Sequence, residues 1–333
     1  MSAVQFKRIE DRAVDEAIAL QEHAGLDVVT DGEQRRPSFA AAFAQAVEGI
    51  EPRPSSRIAW HGDRDVVELD FPLCVTDKVR WKQSPTSEEY LYASARTRKP
   101  VKVTLPSPLL LLIHWSPVHS REAYADPFEL FWDAAALIRD EVRLLTSLGC
   151  EYVQIDAPEL GLLVDASTRG YLESIGVAPA RLATEGAEIL NFVAEGVHAK
   201  LALHLCRGNA SGRWLASGGY GALSQELFRR ATNFDTFLLE YDDPRSGSFE
   251  PLADLADEKV AVLGLISTKR NELESIDELI ARIGEASRFL PLERLAISPQ
   301  CGFASVWEGN PISSEVQREK LELVAAVARR VWN

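Results

Sequence analysis

Short apolar runs rich in β-branched residues recur along the chain, separated by longer stretches with helical spacing. The runs are Leu26–Thr30 (LDVVT), Val101–Leu105 (VKVTL), Tyr152–Asp156 (YVQID), Leu201–Cys206 (LALHLC), Phe237–Tyr241 (FLLEY), Val260–Ile266 (VAVLGLI) and Leu295–Pro299 (LAISP). Most are apolar nearly throughout instead of alternating, the pattern of parallel strands covered by helices. The intervening helices include DPFELFWDAAALIRDEVRLLTSLG, opened by Asp126 as cap and Pro127 in the first turn, and SIDELIARIGEASRFL, opened by Ser275.

Strand and helix in this order predict an α/β fold, a (β/α)8 TIM-type barrel spanning residues 1–333 as one catalytic domain. Seven strands are one short of the eight such a barrel uses, and the chain opens in a helical pattern. The first strand is therefore expected to be missing from this chain or unrecognised in it. A barrel short of one strand exposes two edges, so an upstream strand or another segment is expected to close the gap. Residues 51–94 carry EPRPSS, Trp60-His61-Gly62 and the alternating VVELDFPLCVTDKVRW, which predict an inserted hairpin on one barrel face. No repeat, low-complexity tract or linker divides the sequence.

Composition narrows the partners. Acidic residues exceed basic ones by 50 to 36, a net charge of -14, and no basic stripe with interleaved aromatics occurs. This argues against nucleic-acid and anionic-membrane partners. No apolar run is long enough to span a bilayer, and MSAVQFKRIEDRAVDEAIALQ reads as a charged amphipathic segment and not as a signal peptide. The expected location is the cytoplasm. Cys74, Cys150, Cys206 and Cys301 are too scattered for a disulfide framework.

Candidate chemistry gathers at the ends of the predicted strands. Residues i and i+2 of a strand face the same way, so His204 and Cys206 project together from a carboxyl end, where a barrel places its active site. Other runs end on Glu240, Cys301, Asp156, Asp31 and Glu33. His204, Cys206, Glu240 and Cys301 offer nitrogen, sulfur and oxygen donors suited to Zn²⁺. Each also has an ordinary explanation. A strand-end Cys is commonly a small hydrophobe, Glu240 can pair with Arg245, and Cys301 can serve turn packing. Cys74 and Cys150 read as structural.

VVTDGEQRR, IHWSP, YVQIDAPEL, HLCRGN, LLEYDD and SPQCGF occur in this order along nearly the whole chain. With these motifs the sequence resembles the catalytic barrel of the cobalamin-independent methionine synthase family, in its short, single-barrel branch. The resemblance implies a zinc-dependent methyltransferase acting on homocysteine, with a folate or a methylated corrinoid protein as methyl donor. It assigns zinc to His204, Cys206, Glu240 and Cys301, the homocysteine amino group to Asp156 and Glu33, and the face of the donor pterin to Trp115. Asp156 can instead cap the following helix, Glu33 can pair with Arg35 or Arg36, and Trp115 can be loop packing.

Two departures bear on the substrate. The family's opening strand, with a Gly-Ser turn at the amino-acid carboxylate, has no counterpart before Arg8. Where the long enzymes have a catalytic histidine, LISTKRNELES places Lys269, a group able to donate a proton or bind an anion. The short branch also resembles epoxyalkane:coenzyme M transferases, so alkyl transfer to a different thiol is the alternative activity. A non-catalytic zinc-stabilised barrel that binds a thiol is the alternative from outside enzymes. A decarboxylase of the uroporphyrinogen type would not need this ligand set.

Overall fold

The computed structural model describes residues 1–39 and 41–332. After the helix Ala3–Ala24, capped by a reciprocal Ser2/Gln5 box, the chain forms an antiparallel hairpin of β1 (Val47–His61) and β2 (Val66–Trp81). This pair overlaps residues 51–94, with different boundaries. Strand pairing begins at Val47, and Ser87–Ser94 is a helix instead of hairpin.

Six strands then form one parallel sheet in sequence order: β3 (Lys102–Pro106), β4 (Tyr152–Asp156), β5 (Lys200–Leu205), β6 (Thr236–Glu240), β7 (Val260–Ile266) and β8 (Leu295–Pro299). Helices such as Pro127–Ser147, Pro179–Ala194, Ile276–Ala286 and Ser314–Trp332 connect or follow them. Asp126 caps its helix by accepting from Phe128 N, as its position before Pro127 predicts. Ser275 precedes the helix Ile276–Ala286 without a side-chain cap bond among the described residues.

The strands are largely apolar because both faces are covered. Val153, Ile155, Leu203, Leu205, Phe237, Leu239 and Leu263 join the main core under the helices. The alternate positions Tyr152, Ala202 and Leu238 form a separate small cluster with Val28 and Val262. Toward the carboxyl ends this second set turns polar, through Asp156, His204 and Glu240. That change of polarity along one face positions the site.

Leu26–Thr30 requires a correction: only Val29 bridges the sheet, to Val101. Val29 exchanges backbone hydrogen bonds with Pro100 and Lys102, but Thr30 is taken out of the ladder by a side chain. Gln21 Oε1 accepts from Thr30 N and Gln21 Nε2 donates to Thr30 O, each at 2.9 Å. Among the described residues, β8 has no ladder partner on the side away from β7. The seam is spanned at the mouth by a Ser38–Val306 bridge and outside by packing of the first helix on the last, where Gly25 lies against Ala325 and Arg329.

Close approach of backbones fixes where β8 ends. A Cβ added to Gly264 of β7 would lie 2.7 Å from Gln300 Cα and 2.8 Å from Leu239 O. Gly264→Ala is therefore expected to destabilise the fold by about 1–3 kcal/mol, as overpacking against backbone does. A urea unfolding midpoint equal to that of the unaltered protein would contradict this tight fit.

Candidate functional site

His204 lies on β5, Cys206 follows that strand, and Cys301 follows β8. One donor atom from each lies within 4.8 Å of the other two. Neighbouring strands are spaced by about 4.8 Å, so a flat sheet would hold β5 and β8 roughly 14 Å apart. The sheet must curl toward closure for these side chains to meet. Tyr220 joins the strands that carry the site: its hydroxyl donates to Leu205 O at 2.5 Å and accepts from Glu240 N at 2.8 Å. Asn209 Nδ2 donates to Gly302 O at 3.0 Å, tying the Cys206 loop to the Cys301 loop. The turn Pro158–Gly161 presses so closely on Cys206 that a Cβ at Gly161 would sit 2.1 Å from its carbonyl oxygen.

The three donors share protons unevenly. Hydrogen bonds from Cys206 and His204 hold the Cys301 thiol well below its ordinary range, against the opposing effect of burial. Cys206 is pushed well up by the same sulfur contact and by burial. Burial works against a charged His204, but hydrogen bonding and charge from Cys301 raise its pKa. His204 Nδ1 is buried without a hydrogen-bond partner among the described residues. A nitrogen and two sulfurs grouped in this way suit a thiophilic, borderline-soft cation such as Zn²⁺, whose binding would displace the shared protons.

Glu240 ends β6 and is buried, but it is not one of the three grouped donors. Its Oε2 accepts from Arg207 N and its Oε1 from Lys269 Nζ, each at 2.7 Å. Arg245, the partner that proximity in sequence offers, pairs with Asp243 instead. Burial would depress the Lys269 ammonium, yet Glu240 and Asp242 outweigh it and raise its pKa.

Asp156 ends β4 and accepts from Gln154 Nε2 at 2.6 Å, while Gln154 Oε1 accepts from the Lys102 ammonium at 2.7 Å. Burial lifts the Asp156 carboxyl to about 6; His204 opposes the rise and Glu33 adds to it. Glu33 reaches the same side from the loop after Val29, in a left-handed conformation with φ 53°. Its Oε1 accepts from Thr104 Oγ1 at 2.5 Å, and its Oε2 lies 3.8 Å from Arg36. Asp31, also a strand-end candidate, is buried and accepts from Glu33 N. Trp115 is 1% exposed and donates through Nε1 to Ile175 O, so its indole is packed in the core. Cys74 and Cys150 are buried free thiols outside this three-donor group.

Sequence reasoning passed over the supports. Arg207, next to Cys206, is fully buried, lies over the Tyr220 ring and donates to Gly218 O and Glu240 O. Its place between Cys206 and Gly208 was the available signal. Tyr220 and Asp242 had none, since their roles arise from contacts between strands. Glu159, in the turn after β4, was missed as well. It is 2% exposed, and neither carboxylate oxygen has a hydrogen-bond partner at ordinary distance among the described residues, although the Ser107 hydroxyl lies beside it.

Burial raises the Glu159 carboxyl from 4.5 to about 8. The folded protein then holds a proton that the unfolded chain releases, so this group's stability contribution is complete below pH 4.5 and is lost as pH rises toward 8. Glu159→Gln is expected to be more stable than the unaltered protein by about 1–3 kcal/mol at pH 7, with the gain gone near pH 4.5. Denaturant titrations at both pH values check this, and an equal difference at the two would rule it out.

Residues 1–310 match the family described as "Cobalamin-independent synthase, Catalytic domain". The uncharacterized protein YxjH of Bacillus subtilis (strain 168) is 35% identical, over 100% of this chain and 88% of its own length. The 5-methyltetrahydropteroyltriglutamate–homocysteine methyltransferase of Rhodococcus jostii is 28% identical over 90% of this chain, which spans 36% of that longer protein. A solved structure of the putative vitamin-B12 independent methionine synthase from Listeria monocytogenes superposes with a TM-score of 0.73 and 26% identity, covering 100% of this chain and 90% of its own. With a family match across most of its length and an alignment of this extent to YxjH, the chain belongs to the cobalamin-independent methionine synthase family of methyltransferases.

Proposed function

We propose that this protein is a zinc-dependent methyltransferase that transfers a methyl group from a folate donor to the thiol of homocysteine. The observation that carries the reading is the group of buried His204 and Cys206 with partly exposed Cys301 at the carboxyl ends of the strands, with the Asp156 and Glu33 carboxylates beside it. Zinc bound there would supply thiol activation, by lowering the pKa of a coordinated thiol so that sulfur is nucleophilic at neutral pH. In the transfer a sulfur–carbon bond forms as the donor's nitrogen–carbon bond breaks, and the donor nitrogen takes up a proton.

The chain's own residues supply orientation. With its pKa near 6, Asp156 is mostly ionised at neutral pH, and an incoming ammonium would hold it ionised. Gln154 and Lys102 fix the carboxylate from below, and Thr104 fixes Glu33. Two anchored carboxylates beneath a mouth are suited to the ammonium end of an amino acid. Placing thiol and methyl donor in one enclosed mouth provides the advantage of proximity. Membership of a cobalamin-independent family favours a folate over a methylated corrinoid protein as donor. Lys269 is already shared by Glu240 and Asp242, which weighs against its serving as the anion site of a sulfonated thiol.

Purified protein is expected to hold about one zinc per chain. Cys206→Ser or Cys301→Ser should lose most of it, read by metal analysis, and full occupancy in both variants would overturn the site. Asp156→Asn should keep its zinc while kcat/KM for homocysteine falls by about one to two orders of magnitude, the worth of a charge-assisted hydrogen bond. A thiol without an amino group should be much less affected. Zinc retained with no methyl transfer to any thiol would favour a binding role.

A further inference from the structure

One loop at the mouth carries a large aromatic side chain that the core does not use. Of the seven tryptophans, six are buried or half-buried, and Trp81, Trp115, Trp132 and Trp332 donate their indole N–H to Leu137 O, Ile175 O, Glu185 Oε1 and Leu292 O. Trp307 is 81% exposed, although tryptophan is on average a highly buried residue. Its backbone is nevertheless held on both sides. Val306 bridges Ser38, Gly309 N donates to Val306 O at 2.9 Å, and Gly309 takes the left-handed conformation, with φ 70°. Buried Asn310 closes the loop by donating to Thr268 O at 2.8 Å and accepting from Gly212 N at 2.9 Å. Trp307 and Glu308 are thus the central residues of a turn with anchored ends. A lone exposed apolar residue is ordinary on a surface; the place of this one is what gives it a use.

Ser305 Oγ lies 3.9 Å from Cys301 Sγ, and the Trp307 Cα is at most about 7.6 Å from that of Ser305 across two peptide units. Ser38, opposite Val306, follows Glu33 in the loop after Val29. The turn therefore stands on the rim, between the loop of Cys301 and the loop of Glu33. A folate that delivers its methyl group to a thiol beside Cys301 must place the reacting nitrogen inside the mouth. Its aminobenzoyl ring is attached a few bonds outward from that nitrogen, at the level of the rim. That ring is flat and uncharged, and an indole face offers it offset stacking. Trp115 is packed in the core and cannot offer its face. We infer that Trp307 is a donor-binding residue whose indole stacks on the aminobenzoyl ring of the folate, so that the rim selects donors carrying an aromatic ring outside the pterin. This rests on the folate reading above.

The test uses the full chain, with zinc content checked by metal analysis, and two donors. One is 5-methyltetrahydrofolate; the other is 5-methyltetrahydropterin, which lacks the aminobenzoylglutamate. Dissociation constants are read by titration calorimetry, and KM by methylation of homocysteine. W307A should bind the folate about tenfold more weakly and raise its KM by a similar factor, the scale of one aromatic stack. W307F, which keeps a ring, should lie within about threefold of the unaltered protein. Neither variant should move the constant for the pterin or the KM for homocysteine. Trp307 supports no core, so its removal leaves the fold intact, read by circular dichroism. An equal loss with both donors would put the pterin, not the outer ring, on the indole and overturn the inference. An unmoved folate constant in W307A would overturn it too, and a changed sedimentation coefficient beside that result would assign Trp307 to contact between copies of the chain. If the unaltered protein binds neither donor, the folate reading falls and this inference with it, a result distinct from folate bound equally well with and without Trp307.

Discussion

Curvature of the parallel sheet is the constraint on which the site depends. His204 and Cys206 come from β5 and Cys301 from the end of β8, with β6 and β7 between them in the ladder. Strand twist lets the sheet curl until those ends meet, around an inner face that is apolar below and polar at the carboxyl ends. Small residues permit the last approach. Gly264 lets β7 lie against Gln300, and Gly161 lets the turn after β4 rest on the Cys206 carbonyl. The tolerance at both positions is below a methyl group, so the placement of the sulfurs is coupled to the packing of the sheet.

Around the donors the protein shares single buried cations among several carboxylates. Lys269 faces Glu240 and Asp242; Arg36 faces Glu89 and Glu33; Lys102 reaches Asp156 through Gln154. Removing one member of such a set leaves a buried charge without its partner, which is far more damaging than the modest net value of the intact pair. The arrangement therefore holds each carboxylate in a defined place. Asp156 illustrates the result. Burial destabilises its ionised form, and a cationic ligand placed beside it would relieve that cost.

The parts legible in the sequence were those governed by short-range pattern. Parallel strands burying both faces announce themselves as apolar runs, and β4, β7 and β8 begin and end at the residues the pattern predicts. His204 and Cys206 were legible because alternation within one strand fixes their common direction. Leu26–Thr30 looked like its neighbours, but Gln21, on the preceding helix, takes the hydrogen bonds of Thr30. Nothing in the run itself records that. Tyr220 and Asp242 were illegible for the same reason, since a hydroxyl bridging two strands and a carboxylate sharing a lysine are defined only by the assembled sheet. Trp115 shows the converse: its identity invites a stacking role, while in the fold its indole is core and its N–H is spent on Ile175.

The hairpin belongs to the same physical unit as the loop that follows Cys206. His61 and Trp214 exchange backbone hydrogen bonds at 2.8 and 2.9 Å, and Asp65 pairs with Arg213, so the hairpin end is sewn to the segment that follows Cys206. Gly208 makes the junction possible. Its φ is 88°, and an added Cβ would meet the Trp60 ring at 2.8 Å and Leu215 at 2.9 Å. Trp60, Gly208 and Leu215 thus pack as one block, with Leu215 N also donating to Arg207 O. Arg207 in turn holds Glu240. The hairpin, Gly208, Leu215 and Arg207 thus form one contiguous set of contacts that reaches the carboxylate of β6, so the hairpin packs as part of the walls of the site and not as an appendage to the sheet.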